Sequence, residues 1–202
     1  MLGLNEHEFV VLGAGQLIGR KGIEDFIEVS KHIPSARFIW AGGRPFGALS
    51  EGISRINDKM KEAGENFKYA GNFELEQMPY IYAAADLMLF PSYQENCPLT
   101  PIEAAACGMP VIFRNIEEYK VLYENPYISA SDLGEFIRLT TRMISDGEFY
   151  NEGLNISAQL IIQFDKGAIR KKLMNLYWEL SENSKLHAGY QGAPEEISWG
   201  LY

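Results

Sequence analysis

Two cysteines and three histidines are all the thiol and imidazole groups that this chain of 202 residues offers a metal. Cys97 and Cys107 make neither a disulfide framework nor a C-x-x-C pair, a usage that fits a reducing compartment. His7, His32 and His187 are scattered, with no H-x-E or H-E-x-x-H spacing, so no metal is expected. His32, on the polar side of a helix end, reads as structural. No apolar run approaches the ~20 residues needed to span a bilayer. The stretch from Met1 to Glu8 is short and polar, unlike a signal peptide. A cytoplasmic protein is the expectation, with contact at a membrane surface still open. Positive charge is scarce as well. Lys and Arg number 18 against 27 Asp and Glu, giving a net charge of -9 and a pI near 4.9. Such a balance excludes general nucleic-acid binding, which needs a basic face to neutralise phosphates. Nor does any nucleophile–base pair give hydrolase chemistry a foothold.

What is present is an ordinary soluble composition, 47% hydrophobic and 22% charged, arranged in alternating elements. The length fits one domain with a sizeable core, or one domain and a tail. Phe9-Val10-Val11-Leu12 reads as a buried strand, followed by a glycine-bearing loop. Ile23, Phe26, Ile27, Ser30 and Ile33 then recur at helical spacing. Arg37–Ala41 and Phe67–Ala70 read as further strands. Ser50–Ala63, with Ser50 as N-cap, and Glu76–Ala85 read as helices. Leu87–Phe90 and Pro110–Phe113 are the next two strands. Beyond Arg114 the pattern turns helical, over Leu133–Ile144, Glu148–Phe164 and Ile169–Leu180. The rhythm predicts an α/β fold with a Rossmann-like, doubly wound parallel sheet and a helical C-terminal end. From Ser181 the pattern loses its period, and residues 185–202 are read as a flexible tail behind a domain of residues 1–184.

The most informative stretch is Pro91-Ser92-Tyr93-Gln94-Glu95-Asn96-Cys97-Pro98-Leu99-Thr100-Pro101-Ile102-Glu103-Ala104-Ala105-Ala106-Cys107-Gly108. It leaves a strand and opens a short helix, with Thr100 read as N-cap and Pro101 as first helical residue. Ligands of open α/β sheets sit beyond the carboxyl ends of strands, near helix N-termini that favour anions. Glu95 in the loop and Glu103 on the first helical turn would flank such a place, suiting a polyol joined to a diphosphate. Plainer readings stand beside this one. Thr100-x-x-Glu103 is also a capping box, and Glu95 is also readable as a solvated loop residue.

The loop Gly13-Ala14-Gly15-Gln16-Leu17-Ile18-Gly19-Arg20-Lys21-Gly22 nearly fits a dinucleotide fingerprint. Its spacing is G-x-G-x-x-x-G, however, and the second strand ends in Ala41-Gly42-Gly43 with no acid for a ribose, which disfavours NAD. Cations at a helix start oppose the macrodipole, so a bound anion would rationalise Arg20 and Lys21 better than two solvated charges do.

On these residues the chain resembles the donor-binding half of family-4 retaining glycosyltransferases of GT-B architecture, over roughly residues 9–180. The E-x7-E spacing matches, and so does the frame from Pro91-Ser92 to Gly108-Met109-Pro110-Val111-Ile112. The resemblance implies that Glu103 accepts both ribose hydroxyls and Glu95 contacts the donor sugar. It implies that Arg20 and Lys21 hold the diphosphate of a UDP-sugar. Gly15 and Gln16 belong to the same loop, and the backbone N–H groups of Leu99 and Thr100 remain available to the phosphates. Gln16 stands where the family usually has Arg, and Cys97-Pro98 where it more often has Phe-Gly; Pro98 has no N–H to offer. No D-x-D pair occurs, so donor binding without metal or other cofactor is expected. The acceptor-binding, N-terminal half of a GT-B enzyme is expected to be missing from this chain, leaving a fragment inactive alone. A non-catalytic module binding a nucleotide-sugar or a partner protein is the rival.

The segments Gly42–Gly47, Phe90–Asn96 and Arg114–Lys120 are similar to those of bacterial diacylglycerol glycolipid synthases, which implies a glycolipid acceptor. Trp178 with Lys171 and Lys172 reads either as a membrane rest or as a buried Trp above a solvated basic face, the second being preferred.

Overall fold

A computed structural model of the chain describes residues 3–5, 7–44, 52–124 and 126–187, with side chains through Glu182. Six strands, β1 (Phe9–Ala14), β2 (Ala36–Ala41), β3 (Phe67–Gly71), β4 (Leu87–Phe90), β5 (Val111–Arg114) and β6 (Ile128–Ala130), form one sheet. Its order is β3-β2-β1-β4-β5-β6, and every adjacent pair is parallel. The crossovers are α1 (Ile23–His32), α2 (Ile53–Lys61), α3 (Met78–Ala83), α4 (Leu99–Ala106) and α5 (Glu117–Leu122). Three further helices, α6 (Leu133–Ser145), α7 (Gly147–Gln163) and α8 (Lys166–His187), follow among the described residues.

Both faces of the sheet are covered, which is why the strands read as continuous apolar runs. Successive side chains point to opposite faces. Val11, Phe38, Trp40, Leu87, Leu89 and Ile112 pack with Phe26 and Ile27 of α1 and Phe136, Leu139 and Met143 of α6. Val10, Leu12, Ile39, Met88, Phe90, Val111 and Phe113 pack with Tyr82 of α3, Ala104 and Ala105 of α4 and Tyr119 of α5. The sheet reverses winding between β1 and β4, which sets the loops following those two strands side by side.

Several sequence expectations shift. The short strand β6 was not legible within what reads as a helical stretch; it carries three residues in register with Ile112–Arg114. The second helix begins at Ile53, after Gly52, and Ser50 lies outside the described residues. The helix expected over Glu76–Ala85 is a 3-10 turn (Leu75–Gln77) running into α3. Helix α8 extends to His187, beyond the boundary at 184, and residues 188–202 of the expected tail lie outside the described residues.

Residues through Phe164 make one compact unit, and α8 belongs to a second beginning at Asp165. The Asp165 carboxylate caps α8, accepting from the N–H groups of Gly167 (2.8 Å) and Ala168 (3.0 Å). Ile169, Leu173, Leu176 and Leu180 recur along it at helical spacing and are exposed. Trp178 is 62% exposed, which overturns the preferred reading of it as a buried residue. No helix among the described residues is long and apolar enough to cross a membrane.

Glycine is required where the loop after β1 passes close against Pro91. Gly22 has φ +74°, and a Cβ there would lie 2.2 Å from the Pro91 carbonyl oxygen. Gly19, in the same loop, has open space around it. Gly22→Ala therefore combines a left-handed backbone with a clash against main chain, and should cost at least ~1–3 kcal/mol. Gly19→Ala should leave the unfolding midpoint within about 0.5 kcal/mol of the parent. Equal urea midpoints for the two variants would remove the close approach as a constraint.

Candidate functional site at the switch point

The loops after β1 and β4 are stitched together. The Tyr93 N–H donates to the Arg20 carbonyl at 2.8 Å, and Arg20 Nη1 donates to the Gln94 carbonyl at 3.2 Å. Lys21 Nζ lies 2.5 Å from Glu95 Oε1, and the Ser92 hydroxyl lies 2.6 Å from the same oxygen. Glu95 is only 7% exposed, so it is not a solvated loop residue. A carboxylate that buried loses its hydration, and a cation plus a hydroxyl offset the loss. Both contacts use Oε1. The ammonium of Lys21 carries three donors, of which Glu95 takes one. Arg20 lines a cavity of about 300 Å³ with Gln94, Glu95, Asn96 and Cys97. Three sequence-predicted residues, Arg20, Lys21 and Glu95, thus meet in one place.

Behind this loop sits Arg114, at the end of β5 and 7% exposed. Its Nε donates to the Pro91 carbonyl at 2.8 Å, and Nη2 donates to Asp25 Oδ2 on α1. Its guanidinium lies 3.9 Å from the centre of the Tyr93 ring and 5.1 Å from that of Phe136. The Tyr93 hydroxyl completes the set, donating to Asp25 Oδ2 at 2.6 Å. Burial, and then the bond to Asp25, push the Tyr93 phenol above its ordinary range, which keeps it a donor at neutral pH. Arg114 therefore joins α1, β5, α6 and the Glu95 loop.

Helix α4 starts earlier than its sequence implies. Its N-cap is Pro98, with no side-chain cap, so Thr100 is its second residue and Pro101 its third. The missing N–H of Pro101 falls among the first-turn groups that have no intrahelical partner, so the early start costs no hydrogen bond. Thr100 is consequently not the N-cap, and the Thr100–Glu103 capping box does not form. Glu103 instead accepts from the buried Tyr82 hydroxyl, at 2.7 Å from Oε2. Leu99 and Thr100 present their backbone N–H groups at the open end of the helix. Gly15 is fixed by main-chain contacts, its N–H donating to the Ala41 carbonyl at 2.9 Å and its carbonyl accepting from Trp40 Nε1 at 3.0 Å. Gln16 is exposed and lines a second cavity, of about 360 Å³, with Gly43, Arg44 and Asn72.

Asp25, Ser92, Arg114 and Tyr82 went unassigned at the sequence level. Arg114 did carry a signal: a cation closing an apolar strand must find partners once it is buried. Tyr82 shares a tyrosine-rich helix with the exposed Tyr80, and only packing tells the two apart.

The sheet and its paired loops define a class, one Rossmann-like half of the GT-B architecture. The chain belongs to the glycosyl transferases group 1 family, whose model matches residues 2–148, and is a C-terminal domain of the family-4 kind. It is 43% identical over 126 residues to an alpha-galactosylglucosyldiacylglycerol synthase of Streptococcus pneumoniae, covering 62% of this chain and 34% of that protein. A processive diacylglycerol alpha-glucosyltransferase of Acholeplasma laidlawii is 30% identical over 149 residues, covering 72% and 43%. Among solved structures, sucrose-phosphate synthase of Thermosynechococcus elongatus superposes with a TM-score of 0.76 at 27% identity, covering 90% of this chain and 48% of that one. HepE of Anabaena, solved with UDP and glucose, gives 0.73 at 20% identity, covering 85% and 48%. The chain spans less than half the length of these relatives.

Lysine at position 114 would keep the charge, but its single nitrogen does not reproduce the fork whose Nε holds Pro91 and whose Nη2 holds Asp25, nor the planar face over Tyr93. Arg114→Lys should lower stability by about 2–4 kcal/mol, since it leaves buried groups unpaired. A denaturant midpoint shift below about 0.5 kcal/mol would show that the latch is dispensable.

Proposed function

We propose that this chain binds the donor of a retaining glycosyltransferase, a nucleoside diphosphate sugar of the UDP-glucose or UDP-galactose kind. The observation carrying this reading is a cavity lined by Arg20 and Glu95 just before α4 begins, with Lys21 paired to that same Glu95. The diphosphate lies against Arg20, the free donors of Lys21 and the N–H groups of Leu99 and Thr100, with Gly15 and Gln16 in the adjoining loop. Negative charge grows on the leaving diphosphate in the transition state, and the two cations stabilise it there. Glu95 contacts the sugar and Glu103 the ribose. Binding requires no metal. A binding module without catalysis would share these contacts, and only transfer separates the two.

The acceptor side belongs to a further, N-terminal domain across the cleft, because every donor contact lies within residues 13–103. The names of the two diacylglycerol-glycosylating relatives favour a glycolipid acceptor. Exposed Trp178, Tyr177 and Leu180 on α8, with Lys171 and Lys172, suit contact with a membrane surface at its cytoplasmic face.

Glu103→Gln preserves an oxygen for Tyr82, so its melting temperature should match the parent. UDP affinity should fall about tenfold, because charge-assisted hydrogen bonds to the ribose are lost. Equal affinities by calorimetry would remove Glu103 from the ribose. Holding both reactants in place is worth ~7–11 kcal/mol in such reactions. The 202 residues alone should therefore bind UDP in the presence of EDTA and transfer no sugar. The protein extended by its acceptor domain should glycosylate diacylglycerol lipid in vesicles. Efficient transfer by the chain alone, or transfer by the longer protein only to soluble sugars, would overturn this reading.

A further inference from the structure

Glu103 carries its carboxylate on a long side chain in the second turn of α4, where free rotation would scatter its direction. One contact restrains it. The Tyr82 hydroxyl, on a ring that is 3% exposed and packed into the core against α4, donates to Oε2 at 2.7 Å. Tyr82 comes from α3 and Glu103 from α4, so the bond joins the two helices. Burial, followed by the neighbouring Glu103 carboxylate, raises the Tyr82 phenol far above its usual range. It therefore remains a donor at every pH where the protein is used. Oε1 is the oxygen that Tyr82 does not engage.

We propose that Tyr82 is a positioning residue, holding the Glu103 carboxylate so that it accepts a vicinal diol, and thereby setting the preference for a ribonucleotide over a deoxyribonucleotide. This rests on the ribose role of Glu103. A carboxylate already oriented loses less rotamer freedom when the diol arrives, so the benefit appears only with ligands that carry hydroxyls. A ligand without them gains nothing from the orientation.

Tyr82→Phe retains the ring and its packing and removes only the donor. UDP and 2′,3′-dideoxy-UDP, titrated calorimetrically into the chain and the variant, separate the possibilities. In the parent, UDP should bind more tightly than the dideoxy compound. In Tyr82→Phe, UDP affinity should fall about three- to tenfold while dideoxy-UDP affinity stays the same, so the ratio contracts. Tyr82→Met, whose flexible apolar chain also lacks the donor, should contract it as well, and serves if the phenylalanine variant does not fold. An unchanged ratio, or equal losses for both ligands, would overturn the positioning role and leave Tyr82 a packing residue. A parent that does not discriminate between the two ligands would overturn the ribose assignment of Glu103 itself, and this inference with it.

Discussion

A carboxylate with 7% of its surface in water has to be paired, and the pairing of Glu95 with Lys21 organises the rest of the site. Lys21 stands on a 3-10 turn after β1, and Glu95 in the loop after β4. The two can meet only if those strands are neighbours and their loops nearly touch. The parallel pairing of Val11–Leu12 with Leu87–Met88 supplies the first condition. Gly22, without a side chain at the point of contact with Pro91, supplies the second. Arg114 then fixes the loop from behind by holding the Pro91 carbonyl and the Tyr93 ring. Sheet order, one glycine and one buried arginine thus all serve the placement of a single ion pair.

The charge distribution follows the same logic. The chain is acidic overall, yet Arg20 and Lys21 occupy the mouth of the switch point. An anion approaching the protein would meet favourable potential in that small region rather than over the surface at large. Glu95 balances Lys21 without consuming it, since an ammonium with three donors can serve a carboxylate and an oxyanion together.

The fold was legible because a parallel sheet covered on both faces writes itself as separate apolar runs, as in Val10-Val11-Leu12 and Leu87–Phe90. The strand Ile128–Ala130 was not, since three residues carry too short a pattern to stand out between helices. Arg20, Lys21, Glu95 and Glu103 were legible from spacing and from the neighbouring helix start. Their partners were not. Asp25 lies 68 positions from the Tyr93 hydroxyl it accepts, and Tyr82 lies 21 from Glu103, distances over which no local pattern connects donor to acceptor. The start of α4 was misread for a local reason. Thr-Pro is a strong opening signal, but Pro98 begins the helix as well, and neither proline gives up an intrahelical bond.

The winding order of the sheet also governs how the molecule is made. The central strand β1 has its second neighbour, β4, about 75 positions away, with β2 and β3 laid down between them. Closing so long a loop carries an entropic cost that is recovered only once the β1–β4 contact forms, and such topologies fold slowly. A chain emerging from the ribosome can complete the β1–β2–β3 half early, with Arg20 and Lys21 already in place but no carboxylate to meet. The Lys21–Glu95 pair can form only when the second half docks along β1, so the ion pair and the β1–β4 contact arise together.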